Sequence, residues 1–218
     1  MPFGLTIAPA TFKGYINDAL RPFLHRFCTA YLDDILIHSE NEEQHIELIK
    51  PILEALTKAG LQVKPQKCEF HTNNVEYLGF IITIEGLQMD PAKITTIIQW
   101  PIPKRLCDFR SFLGFGNLDR RFIQDYSHLA TPLTQLTKKG TPFMWSGLCQ
   151  AAFERLKEAF STAPILIHCD FDKEIVVETD ASEIASAGIL SEPRPDRLLR
   201  PIGFFSEKHT PAECNYDI

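Results

Sequence analysis

Two adjacent carboxylates stand in an unusual setting in this chain. Tyr31-Leu32-Asp33-Asp34 lies between the apolar runs Phe27 to Ala30 and Ile35 to Ile37. Two strand-length apolar segments separated by two acids read as a β-hairpin with both carboxylates at its tip. Adjacent negative charges repel, and apolar walls that lower the local dielectric raise the cost of each. A divalent cation reverses that cost, because Mg²⁺ takes hard oxygen ligands of this kind. The tetrapeptide therefore points to metal-assisted chemistry; taken alone, it also reads as a solvated Asp-Asp turn with none.

The elements that must hold this tip follow from periodicity. Glu42 to Gly60 reads as a helix with Ile46, Ile49, Leu53 and Leu56 on one face and Gly60 at the position after its end. Pro51 falls inside that pattern and predicts a kink or a split. Strands are expected around Gln62-Val63 and from Tyr77 to Ile84, with Gly86 in a turn. Asp90-Pro91 has the form of a capped helix start, running through Ile94, Ile97 and Ile98 until Pro101 and Pro103. From Leu106 to about Lys139 the pattern is helical throughout, and a further helix is expected from about Gln150 to Ser161. Beyond it the character changes to strands at Ile175 to Glu178, Ser186 to Leu190 and Pro201 to Phe205, with a hairpin loop between 192 and 200. A hairpin-and-helix unit, then helices, then a strand-led unit is an α+β organisation.

Composition narrows the class. The chain has 218 residues, 44% of them hydrophobic, enough for one or two domains with real cores. The start, Met1 to Ala10, carries no basic stretch of a secretory signal, and no apolar run approaches the roughly 20 residues of a membrane span. These features predict an intracellular protein that is neither secreted nor membrane-spanning. Cysteines 28, 68, 107, 149, 169 and 214 are scattered without a CxxC pair, which argues against a disulfide framework or a zinc ribbon. Cys68 and His71 have the spacing of half a metal site with no matching second half. The net charge of −6 is unfavourable for nucleic-acid binding as a whole, but the charge is segregated. Lys58, Lys64 and Lys67 lie in a stretch without acids, and Lys104, Arg105, Arg110, Arg120 and Arg121 outnumber Asp108 and Asp119. Such local patches are compatible with a nucleic-acid groove and equally with solvated helix faces.

The order and spacing of several segments carry a resemblance. Met1-Pro2-Phe3-Gly4-Leu5-Thr6-Ile7-Ala8-Pro9-Ala10-Thr11-Phe12 precedes the acidic tip; Gly60 to Phe70 and Glu76-Tyr77-Leu78-Gly79-Phe80 follow it. Then come Phe112-Leu113-Gly114, Arg120-Arg121-Phe122-Ile123, Pro132 to Lys139 and Glu178-Thr179-Asp180-Ala181-Ser182. In this series the chain resembles the Pol polyprotein of gypsy-like long-terminal-repeat retrotransposons, a reverse transcriptase followed by ribonuclease H, over essentially its whole length.

The resemblance implies the C-terminal part of a reverse transcriptase palm at 1–86, a helical thumb or connection at 87–147, and the N-terminal part of a ribonuclease-H-like domain at 148–218. It implies RNA-directed DNA polymerisation dependent on Mg²⁺ (or Mn²⁺), acting on a primer–template duplex or RNA–DNA hybrid with deoxynucleoside triphosphates. Asp33 and Asp34 become polymerase metal carboxylates, Tyr31 lies under the primer terminus, and Pro2, Phe3 and Gly4 belong to the nucleotide pocket. Lys67, with Lys64 as a rival, resembles the lysine that steadies departing pyrophosphate. Tyr77-Leu78-Gly79-Phe80 resembles the hairpin that holds the primer end, and Asp180 the leading metal carboxylate of ribonuclease H. Either lysine reads equally as a surface side chain, Tyr77 to Phe80 as a plain core hairpin, and a lone Asp as a cap.

The resemblance also sets expectations of loss. The third polymerase carboxylate belongs on a strand before the segment that begins at Met1. The next ribonuclease H acid belongs on a helix starting near Pro211, where Glu213 precedes the catalytic position. Both active sites are thus expected to be catalytically incomplete, and the strands after Ile175 to leave one apolar face bare. A non-enzymatic nucleic-acid-binding or functionless remnant is the alternative. The family pattern carries two tyrosines where this chain has Leu118-Asp119 after Asn117, and the added acid is expected to weaken packing or phosphate contact there.

Overall fold

The computed structural model describes residues 6–210 and 212–215. The chain divides into two compact units, residues 1–78 and 79–218.

In the first unit, helix α1 (Ala8–Leu20) begins with a proline in its first turn, where a missing N–H costs nothing. Strands β1 (Cys28–Tyr31) and β2 (Asp34–Ile37) pair antiparallel, Cys28 opposite Ile37 and Tyr31 opposite Asp34. Helix α2 (Glu42–Lys58) lies over them. Its start is fixed by the Asn41 side chain, which accepts from the Gln44 N–H at 2.9 Å, while the Gln44 side chain accepts from the Glu40 N–H at 3.0 Å. Its end is closed by Gly60 at φ 70°. Pro51 neither splits the helix nor ends it. Ile49 and Ile52, on either side of the proline, are both buried, and that burial holds the segment helical against the lost hydrogen bond. Ile16, Leu20, Cys28, Ile52 and Leu56 form the core that backs the hairpin. The strand expected at Gln62-Val63 is absent; the chain there leads without regular structure into a 3₁₀ turn at Pro65–Lys67. Strand β3 (Asn74–Tyr77) closes the unit.

The second unit opens with the antiparallel pair β4 (Phe80–Thr83) and β5 (Leu87–Met89). Helix α3 (Pro91–Ile98) is capped by the Asp90 carboxylate, which accepts from the Ala92 N–H at 2.8 Å. The continuous helical stretch expected to Lys139 is broken into α4 (Leu106–Asn117), a 3₁₀ turn (Arg120–Phe122), α5 (Tyr126–Thr134) and a second 3₁₀ turn (Gln135–Thr137). Helix α6 (Gly147–Ser161) begins three residues before the expected start, where the Ser146 hydroxyl accepts from the Cys149 N–H. These helices enclose a core rich in phenylalanine: Phe109, Phe112, Phe122, Phe153 and Phe160 are all buried.

Strands β6 (Val176–Ala181), β7 (Ala185–Pro193) and β8 (Leu199–Lys208) form an antiparallel sheet with an irregularity at Leu190/Ser191. One side of β8 is packed: Phe204 joins the helical core, and Ser206 accepts from the Ser127 N–H of α5 at its hydroxyl, 2.8 Å, and from the Ser127 hydroxyl at its carbonyl, 3.0 Å. The opposite face of the sheet exposes Val177 of β6 and Phe205 of β8, at 64% and 52%, so among the described residues these apolar side chains stand uncovered. Leu166 joins the two sheet pieces of the unit. It exchanges backbone hydrogen bonds with Leu87 of β5 at 2.7 and 3.0 Å, and the next residue, Ile167, donates to the Pro201 carbonyl of β8. Gly86, at φ 149°, makes the approach possible: a Cβ there would stand 2.2 Å from the Leu166 carbonyl oxygen.

Candidate functional site

The core of α1 and α2 presents the β1–β2 turn outward. Leu32 takes φ 53°, a left-handed conformation that a branched side chain rarely enters and that costs on the order of 1–3 kcal/mol. Asp33 sits at the tip and Asp34 is the first residue of β2, so the hairpin geometry expected from the sequence is met. The low-dielectric setting is not: both carboxylates are exposed, because the apolar residues that flank them in sequence turn inward to α1 and α2. Tyr31, 46% exposed, carries the Lys13 ammonium 5.2 Å from its ring centroid. Lys13 was not among the residues read as functional, and no motif of the sequence marks it.

Tyr77 is the inner partner of this site. Burial pushes its phenol upward, and the charges of Asp34 and Cys28 push it further. Among the described residues its buried hydroxyl has no hydrogen-bond partner. Cys28, the buried first residue of β1, is itself pushed up to about 11 by burial. An exposed pair of hard oxygen donors beside an orphaned hydroxyl fits a hydrated divalent cation in donor chemistry. Among the described residues no group of three His, Cys, Asp or Glu gathers around one point.

The remaining residues lie apart along the chain. Lys67 ends the 3₁₀ turn at Pro65–Lys67 and Lys64 precedes it; both are exposed. His71 meets the His45 ring edge-on at 5.5 Å and the Glu42 carboxylate at 3.7 Å, while the Cys68 thiol donates to the Lys64 carbonyl. Leu78 and Gly79 take φ 53° and 77°, the consecutive positive values of a tight two-residue turn. Pro2, Phe3 and Gly4 lie outside the described residues. Asp180 is exposed on β6 opposite Ala187, and lines a shallow cavity of about 950 Å³ with Val177, Gly188, Ile189 and Phe205.

Asp119, which stands where the resemblance places an aromatic residue, points inward: its side chain is 1% exposed and both oxygens accept from the Lys93 ammonium, at 3.2 and 3.4 Å. Burial raises its carboxyl above the usual range, against the pull of Lys93 and Arg121. No helix among the described residues is long and apolar enough to cross a membrane.

Comparison with known proteins agrees with this arrangement. Residues 1–82 match the family described as "Reverse transcriptase (RNA-dependent DNA polymerase)" and residues 145–218 the "RNase H-like domain found in reverse transcriptase". The chain is 37% identical over all 218 residues to the Transposon Tf2-7 and Tf2-3 polyproteins of Schizosaccharomyces pombe (strain 972 / ATCC 24843), and spans 16% of their length. Among solved structures, the foamy viral protease-reverse transcriptase dRH in complex with double-stranded DNA superposes with a TM-score of 0.84 at 25% identity, over 99% of this chain and 38% of that one. The foamy viral enzyme in complex with an RNA/DNA hybrid gives 0.81 at 26% identity, over 100% of this chain and 29% of that one.

Proposed function

Because the chain belongs to the Pol polyproteins of gypsy-like long-terminal-repeat retrotransposons, in which reverse transcriptase precedes ribonuclease H, we propose that it contributes to an Mg²⁺-dependent RNA-directed DNA polymerase with linked ribonuclease H. The observation that carries this reading is the acidic tip at Asp33 and Asp34, held out on a strained turn by a buried core. The solved relatives bound to double-stranded DNA and to an RNA/DNA hybrid support a primer–template duplex as substrate. Deoxynucleoside triphosphates follow from polymerisation itself.

On this reading, 1–86 serve as palm, 87–147 as thumb or connection and 148–218 as the ribonuclease-H-like part. Asp33 and Asp34 would hold the cation, which when bound would ease loss of the proton from the attacking 3′-hydroxyl and offset charge on the leaving pyrophosphate. Tyr31, steadied by Lys13, supplies a flat exposed face beneath the terminal base. Tyr77, Leu78 and Gly79 hold the primer strand at a tight turn. Lys67 offers an exposed ammonium to pyrophosphate, and Pro2, Phe3 and Gly4 line the nucleotide pocket. Asp180 serves as the leading carboxylate of ribonuclease H.

A fluorescence-anisotropy titration of a primed RNA–DNA hybrid with the full chain tests this. Log affinity should fall linearly with log salt concentration, as phosphate contacts require. Absence of binding at low salt, or binding indifferent to salt, refutes the assignment.

A further inference from the structure

The ion pair of Lys93 and Asp119 is placed where the second unit begins. The Lys93 ammonium lies 4.8 Å from the centroid of the Phe80 ring, and an added Cβ on Gly79 would approach it to 2.9 Å. The Arg121 guanidinium lies 5.8 Å from the same ring, and Phe80 stacks on Phe122 with centroids 5.8 Å apart. Asp119 therefore anchors, from the turn after α4, an ammonium on α3 that packs against the backbone of Gly79 and the face of Phe80. Lys93 is a long, flexible side chain with three rotatable donors, and without the carboxylate its ammonium keeps only the face of Phe80 against the pull of solvent. The Asp119 carboxylate is fully buried, and Lys93 is the one ammonium that hydrogen-bonds to it among the described residues. A cation held at less than one-fifth exposure over an aromatic face keeps that face oriented.

We propose that Asp119 is a positioning residue: through Lys93 it fixes Gly79 and Phe80, where the tight turn passes into β4, and thereby the seat of the primer-strand terminus. The proposal rests on the assignment of Tyr77 to Phe80 as the primer-holding turn. Asp119 stands where the family pattern has an aromatic residue, so the device belongs to this chain's own sequence.

Two measurements on the full chain test it together. One is amide hydrogen exchange at Gly79 and Phe80, with the amides of Phe109 and Phe153 as a control for folding. The other is the ratio of affinities for an RNA–DNA hybrid with a recessed DNA 3′ end and for the same hybrid with flush ends. Asp119→Asn keeps the size of the side chain and removes the charge. It should speed exchange at Gly79 and Phe80 and lower the recessed-to-flush ratio by about tenfold, the effect of one misplaced charge-assisted hydrogen bond. The double variant Lys93→Met with Asp119→Leu refills the space with apolar atoms; its core should stay protected while the turn remains loose and the ratio low. Wild-type exchange and ratio in both variants overturn the proposal. Faster exchange with an unchanged ratio overturns the link to the primer end, and a lower ratio with unchanged exchange overturns positioning. If the wild-type chain binds neither hybrid, the functional assignment fails, and the exchange at Gly79 and Phe80 alone decides whether Asp119 orders the turn.

Discussion

The acidic tip and the ion pair at the start of the second unit use carboxylates in opposite ways. Asp33 and Asp34 are neighbours of like charge, exposed, on a turn whose Leu32 is forced into a left-handed conformation. Asp119 is alone, buried, and matched by Lys93 on an aromatic floor of Phe80 and Phe122. In the first place no ion pair among the described residues compensates the negative charge at the surface, where a ligand can take it up. In the second the charge is consumed internally, and what it supplies is the location of another group. An acid's sequence neighbours do not distinguish these uses; its burial and its partner do.

Several substitutions sharpen that contrast or break it. The largest effect is expected from Lys93→Met, which strands a buried carboxylate and should cost roughly 3–5 kcal/mol in chemical denaturation at neutral pH. Asp119→Asn should cost less, about 1–2 kcal/mol, because the freed Lys93 can extend toward solvent. Equal costs for the two would contradict the asymmetry of burial between the partners. The pH dependence has a fixed sign. Burial raises the Asp119 carboxyl in the folded state above its unfolded value, so the folded protein binds this proton more tightly. The penalty is full above the folded value and vanishes below the unfolded one, so the deficit of Lys93→Met should shrink as pH falls through the acid range. A deficit independent of pH would show that the carboxylate is not its source.

Next in size is Gly86→Ala, where the new methyl meets the Leu166 carbonyl; a loss of roughly 1–3 kcal/mol is expected. Asp33→Asn should leave stability within about 0.5 kcal/mol, since the side chain is exposed and its core lies elsewhere. The same change should weaken Mn²⁺ binding, followed by water proton relaxation, by at least about tenfold. Large destabilisation without loss of Mn²⁺ would reverse the roles given to the two regions. The smallest effect belongs to His45, whose imidazole is lowered by burial and by His71. Its folded value lies below the unfolded one, so stability is retained above about pH 6.5 and is lost as pH falls below it. His45→Gln should flatten that part of a stability profile.

The hairpin is legible in the sequence because two apolar runs and the acids between them agree over a few consecutive residues, and the capped start of α3 is legible for the same reason, whereas the Asn41 cap of α2 emerges only in the structure. Pro51 misled because a local rule met a tertiary fact, the burial of Ile49 and Ile52 on either side of it. The strand expected at Gln62-Val63 has no partner strand to pair with among the described residues. Asp119 departs visibly from the family pattern, yet its inward direction depends on Lys93, 26 residues earlier on α3. Lys13 escaped notice because an amphipathic helix gives no sign of which lysine will reach an aromatic ring. Of the site, the carboxylates were readable and the groups that orient their surroundings were not.

The rung at Leu166 has a consequence for the order of events during synthesis. Strand β5 leaves the ribosome early, with its outer hydrogen-bonding edge bare, and its partner at Leu166 arrives only after α3, α4, α5 and α6 have been made. An unpaired edge is a template for the wrong neighbour, and distant pairing is slow to close. A nascent chain of this sequence should therefore be most prone to cross-pairing while those helices are being made, and the risk ends when Leu166 is threaded between β5 and β8.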